Sequence, residues 1–132
     1  MIIYYVGAEV SFESRQLLYR HFDCEMSHPH ATIIYSRNWF PYKTAKCFPL
    51  ILEPPYELKI LKDSLVLKFK NYRFFERNIE LRNLGASSDH ERLIPHITIS
   101  EGISWDIANL PLPKFPITLS NEYYGTWEEG KE

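Results

Sequence analysis

Two histidines of this 132-residue chain stand in nearly the same five-residue phrase, 66 positions apart: Pro29-His30-Ala31-Thr32-Ile33 and Pro95-His96-Ile97-Thr98-Ile99. The other three, His21, His28 and His90, are followed two places on by Asp23, His30 and Arg92, so the phrase is not a habit of the composition. In an extended strand, residues two apart point to the same face. His30 and Thr32 therefore look into one space with Ala31 and Ile33 packed behind, and His96 and Thr98 do the same in front of Ile97 and Ile99. Two facing imidazoles, each with a hydroxyl one pleat away, suit phosphodiester cleavage. One imidazole takes a proton from the attacking oxygen and the other gives one to the departing oxygen. Histidine alone has an unperturbed pKa that supplies both forms near neutrality. The threonine hydroxyls can donate to the non-bridging oxygens and hold the charge of the transition state. Nothing in this scheme calls for a metal or another cofactor.

A single His-x-Thr on a strand is ordinarily structural, because short motifs are loose. Two copies with the same flanks favour the catalytic pair. Pro29 and Pro95 cannot donate to a sheet ladder, so each marks where its strand begins. A metal site is the competing chemistry, suggested by His28-Pro29-His30, but no HxxE, DxH or cysteine partner accompanies either phrase.

The elements around the phrases also repeat. "IIYYVGAEVSF" predicts a strand over residues 2–10, and Ser11, with Ser14 as a second candidate, offers the cap of a helix bearing Leu17, Leu18 and Phe22. A polar stretch then leads to "HATIIYS", a second strand. In the second half "DSLVLKFK" is a strand and "YRFFERNIELRNLG" a helix. Its Tyr72, Phe75 and Ile79 form one apolar stripe, with Phe74 and Leu81 as a second to one side and Gly85 as the C-cap. The polar "ASSDHERLIP" precedes the strand "HITIS". Between the halves, "KCFPLILEPPYELKIL" predicts two strands broken at Pro54-Pro55, and "FPITLSNEYYGTW" predicts a last one, before a solvated tail "EEGKE". The expected fold is α+β and bilobal within a single domain, with lobes of roughly 1–50 and 51–132. Two mostly antiparallel sheets related by a pseudo-two-fold would line a central groove, with helices outside.

Composition narrows the partners. The formal net charge is −2, which argues against long nucleic acid, since binding through many phosphates is built on a large basic surface. A small phosphorylated ligand remains compatible. Cys24 and Cys47 are too few for a disulfide framework and point to reduced thiols in a cytoplasmic protein. No basic start precedes the apolar opening, and no apolar run approaches the roughly 18 residues of a membrane span.

The paired H-x-T motifs resemble the signature of the two-histidine (2H) phosphoesterase superfamily. "HATIIYSR", "DSLVLKFKNYRFFERNIELRNLGASSDHERLIPHITIS" and "ITLSNEYYGTW" are together similar to the phage anti-CBASS cyclic-oligonucleotide phosphodiesterases. The resemblance implies a metal-independent enzyme that degrades cyclic di- and trinucleotide signals in the host cytoplasm, with His30, Thr32, His96 and Thr98 as its catalytic quartet. It further implies that Tyr5 stacks on a nucleobase, where a core aromatic is the alternative. Glu122 would lie near the ligand, where an edge carboxylate is the alternative. Arg37 either meets a second phosphate or is solvated. The family's middle-region tryptophan has no clear counterpart, Tyr56 and Trp39 being the candidates. Two other functions stay open: a 2H enzyme acting on RNA ends, 2′,3′-cyclic phosphates or 2′-5′ linkages, and a non-catalytic sponge that only sequesters nucleotides.

Overall fold

The β-branched and aromatic run "IIYYVGAEV" forms β1 (Ile2–Val10) in a computed structural model that describes residues 1–26, 28–87, 94–101 and 109–129. Ser11 ends the strand and caps α1 (Phe12–Phe22), its hydroxyl accepting from the Ser14 amide at 3.2 Å. Leu18 and Phe22 are buried and Leu17 is exposed, so only part of the predicted apolar face reaches the core. Ser14 does not cap. Its buried hydroxyl accepts from the Thr118 amide at 2.8 Å and ties the helix to the last strand.

β2 (His30–Ser36), β3 (Leu50–Leu52), β4 (Glu57–Leu61) and β5 (Ser64–Lys68) follow, then α2 (Tyr72–Asn83), β6 (His96–Glu101) and β7 (Ile117–Glu128). Asn71 caps α2 by accepting from the Phe74 amide at 2.9 Å. At its other end Gly85 sits at a φ of +114° just past the C-cap residue Leu84. The Ala86 amide donates to the Leu81 carbonyl and the Gly85 amide to that of Arg82, which is a Schellman closure. Glycine reaches that positive φ without steric cost.

Only one of the two expected apolar stripes of α2 is buried. Phe74 and Leu81 are buried together with Arg77 and Asn78, whereas Tyr72, Phe75 and Ile79 are exposed. The polar members decide the rotation. Asn78 donates to the Ile33 carbonyl at 2.8 Å and Arg77 pairs with Glu122 of β7, so both find partners under the sheet.

Among the described residues, all seven strands lie in one antiparallel sheet, in the order β3-β7-β1-β2-β6-β5-β4. The expected pair of sheets and two lobes is therefore incorrect. The repeat itself is present, because β7-β1-β2 on one side mirrors β4-β5-β6 on the other. Its halves join edge to edge, where β2 and β6 pair at Ala31↔Ile97. Alternating apolar residues specify a buried sheet face equally well in either arrangement. The backbone groups of two adjacent strand edges are what favour joining over packing.

Among the described residues, α1 and α2 cover one face. There Val6, Ala8, Ala31, Ile97, Leu65 and Leu67 are buried against Leu18, Phe22, Phe74 and Leu81. Each fully buried aliphatic side chain contributes about 1.5–3 kcal/mol, so this layer is the main support of the opposite face. Part of the polar stretch at 86–95 and the end of the tail lie outside the described residues. Among the described residues no helix is long and apolar enough to cross a membrane.

Candidate active site

The twin phrase is built the same way twice. β2 begins at His30 and β6 at His96, each directly after its proline. The Pro29 carbonyl accepts from the Val10 amide at 3.0 Å and the Pro95 carbonyl from the Phe69 amide at 3.1 Å. Between β1 and β2 the register passes from Val6↔Ile34 to Gly7↔Thr32, leaving Ile33 as an extra residue. Between β5 and β6 it passes from Leu65↔Ser100 to Val66↔Thr98, leaving Ile99 extra. Each threonine is thus followed by a β-bulge, a device that re-aims neighbouring side chains.

The Ala31↔Ile97 pair orients the four polar residues. Ala31 and Ile97 are fully buried toward the helices, so His30, Thr32, His96 and Thr98 take the other face. Antiparallel register about that pair sets His30 across from Thr98 and Thr32 across from His96. Diagonal neighbours on one face lie about 7–8 Å apart, which spaces the imidazoles for one phosphate group held between two hydrogen bonds.

Each ring is held by its own strand entry. His30 Nδ1 lies 2.9 Å from the His28 carbonyl and His96 Nδ1 lies 2.7 Å from that of Ile94. A carbonyl only accepts, so both Nδ1 atoms carry a proton and both Nε2 atoms are left for a ligand.

Tyr5 joins this group. Its hydroxyl is 2.9 Å from Thr32 Oγ1, and its ring lies edge-on to His30 at 6.1 Å. Tyr123 donates to the Tyr5 hydroxyl at 3.4 Å, and where Tyr5 in turn donates to Thr32 the Thr32 proton is left for a ligand. Burial pushes up the pKa of both phenols, so both stay protonated at neutral pH. Gly7 makes room for them: a Cβ there would stand 2.8 Å from each of the two hydroxyl oxygens.

Other expected residues lie elsewhere. Glu122 pairs with Ala8 in register and so faces the helices. Arg77 grips it through Nε and a terminal nitrogen, at 2.8 and 2.7 Å, and Tyr42 donates to it at 2.6 Å. The two charged side chains are 4% and 2% exposed. Burial lowers the Arg77 pKa, but hydrogen bonds and charge from Glu122 and Glu80 outweigh that and raise it overall. Burial and the bond to Glu122 push Tyr42 up to about 12. Tyr56 is a core residue whose hydroxyl donates to the carbonyls of Leu52 and Phe115. Arg37, just past the far end of β2, lies 3.2 Å from the Glu129 carboxylate. Trp39 is 67% exposed beyond that same end. Among the described residues no group of three histidine, cysteine, aspartate or glutamate side chains could hold a metal ion.

A cavity of about 280 Å³ opens beside His30, with Glu9, Arg15 and Tyr123 in its lining. A larger one of about 620 Å³, between Lys46 and Arg73, contains none of the quartet. Size does not decide between them; the paired acid–base groups do.

Comparison with known protein families matches residues 9–131 to the family described as anti-CBASS protein Acb1. The chain belongs to the Acb1 family. Both His-x-Thr phrases and Tyr123 fall inside the matched span, and Tyr5 and Gly7 precede it. Membership in the Acb1 family gives the chain a role against CBASS immunity and implies a cyclic oligonucleotide as the molecule it meets.

In this Acb1-family chain, several residues of the candidate site and of its support escape a reading of spacing alone. Tyr123 and Gly7 enter through the β1–β7 register, with Gly7↔Tyr123 opposite each other. The Arg77 signal was present, because it lies three residues after Phe74 and four before Leu81, a charge on an apolar stripe.

Proposed function

We propose that this Acb1-family chain is a metal-independent phosphodiesterase of two-histidine type that opens cyclic di- and trinucleotide signals. The observation that carries this reading is the presentation of two Nδ1-anchored imidazoles on the sheet face opposite the helices, diagonal to each other across Ala31↔Ile97. The Nε2 atom of one histidine takes the proton of a ribose 2′-hydroxyl as its oxygen attacks phosphorus. The other Nε2 gives a proton to the 5′-oxygen as the P–O5′ bond breaks. The product is a linear nucleotide ending in a 2′,3′-cyclic phosphate. If water attacks instead, the same groups deliver a phosphomonoester. Thr32 and Thr98 donate to the non-bridging oxygens, Thr32 being oriented by Tyr5 and Tyr123.

Incubating pure protein with a cyclic dinucleotide in excess EDTA tests the proposal. Chromatography and mass spectrometry are expected to show linear product at the rate seen without chelator. Intact ligand released on denaturation would mean sequestration instead, and loss of turnover in EDTA would mean a metal.

Gly7→Ala probes how the site is supported. A methyl group 2.8 Å from both phenol oxygens must displace them, and misplacing a catalytic group by about 1 Å costs up to roughly 10²-fold. Turnover is expected to fall by about that much, with fluorescence-detected melting showing a folded protein. Wild-type turnover would remove Tyr5 and Tyr123 from the orienting role.

A further inference from the structure

Residues 37–49, which connect β2 to β3, hold neither helix nor strand, yet they are tied down at several points. Phe40 is buried in the core, and the Tyr42 ring stacks on Tyr124 at 4.6 Å and 13°. Tyr42 also donates to Glu122, and Arg77 donates to the Lys43 carbonyl. Long connections without regular structure are uncommon in compact domains, and the ordered ones ordinarily carry function. A buried ion pair is weak evidence of stability, but it can fix one conformation. Here Arg77 and Glu122 fix the chain at 42–43 against α2.

The tie leaves a cavity of about 620 Å³ between this connection and α2. Lys43 and Lys46 line it from the connection and Arg73 from the helix, and all three are exposed. Among the described residues none of the three is in an ion pair. Glu80 in the lining and Glu122 behind it are both engaged by Arg77. The charge facing the cavity is therefore positive, in a chain whose formal net charge is −2. Leu84 adds apolar surface, and Asn83 adds an amide that both donates and accepts. Small-molecule sites occupy about 300–1,000 Å³ and combine these features. A phosphodiester carries one negative charge, whereas a terminal phosphate carries about −1.5 to −2 at neutral pH and offers three acceptor oxygens. Three cations around one space match the terminal phosphate.

We propose that this cavity is a second ligand site, for a linear nucleotide bearing a terminal phosphate. Lys43, Lys46 and Arg73 hold the phosphate, and the Asn83–Leu84 side receives the nucleoside. The cavity is bounded by α2 and so lies on the helix side of the sheet, away from His30 and His96. It stands whether or not that pair cleaves a diester. An intact ring, whose phosphates are all diesters, is disfavoured there. A free mononucleotide and a linear oligonucleotide with a phosphorylated end share the required chemistry.

Nuclear magnetic resonance titration of the pure protein tests the assignment with three probes: adenosine 5′-monophosphate, a linear diadenylate ending in a 3′-phosphate, and adenosine. Amide signals of residues 43–47 are expected to move with a phosphorylated probe and to stay in place with adenosine. Each charge-assisted hydrogen bond supports about tenfold or more in affinity. Lys46→Ala combined with Arg73→Ala is therefore expected to raise the Kd read from those signals by about 10²-fold. Lys46→Arg combined with Arg73→Lys should keep most of the affinity, and His30→Ala should leave it unchanged. Equal affinity for the two phosphorylated probes identifies a mononucleotide site, and tighter binding of the diadenylate a site for linear oligonucleotides. The assignment is overturned if neither probe moves residues 43–47 at millimolar concentration, or if only residues 30–32 and 96–98 respond. Affinity that survives the double alanine variant overturns it as well.

Discussion

His30→Ala and His96→Ala are each expected to lower cyclic-dinucleotide turnover by at least about 10²-fold, the contribution of one positioned general acid or base. Neither change should unfold the protein. His30 is exposed and His96 half-buried, and each ring is held by one bond to a carbonyl two residues before it. Groups that act as a unit are far from additive, so the double variant should be little worse than the poorer single one. Thr32→Ala and Thr98→Ala should cost less than either histidine. Calorimetry beside single-turnover kinetics checks both halves of the expectation. A folded His96→Ala protein with wild-type turnover would remove the pair from the chemistry.

The largest effect on stability is expected at Arg77. Its guanidinium and the Glu122 carboxylate are almost wholly shielded from water, and Arg77 further donates to Glu80 at 3.0 Å and to the Lys43 carbonyl. Removing one partner of a buried pair leaves an uncompensated charge and costs about 3–5 kcal/mol. Arg77→Met should lose about that much, which for a domain of this size lowers Tm by on the order of 10 °C or more. Glu122→Gln strands the guanidinium instead and should be destabilised in the same direction. Below the melting range, the Glu122→Gln protein that remains folded should turn over substrate nearly as wild type does. A stable but inactive Glu122→Gln protein would return that carboxylate to the ligand, as the family resemblance implies.

The pattern of strands and helices was legible in the sequence because each element carries its own local signal. Ser11 caps where a polar oxygen can reach an amide, Gly85 supplies a positive φ, and Pro29 and Pro95 stop a ladder. The joining of halves was not legible, because pairing of β2 with β6 depends on backbone edges rather than on side-chain alternation. The same gap hid the true face of α2. Its two apolar stripes were both readable, but what selected between them was the partners of Arg77 and Asn78 in strands 45 residues away in either direction. Thr32 and Thr98 declare themselves by the repeat. Tyr123 belongs to a strand with no counterpart phrase, and only register brings it beside Tyr5.

The two histidines are held to share one phosphodiester, and a crystal structure with a non-hydrolysable phosphorothioate cyclic dinucleotide measures this directly. The account predicts His30 Nε2 and His96 Nε2 each within about 2.6–3.2 Å of an oxygen or sulfur on the same phosphorus, from opposite sides. A ligand whose phosphates touch only one imidazole, or that binds away from the Ala31–Ile97 crossing, would contradict it.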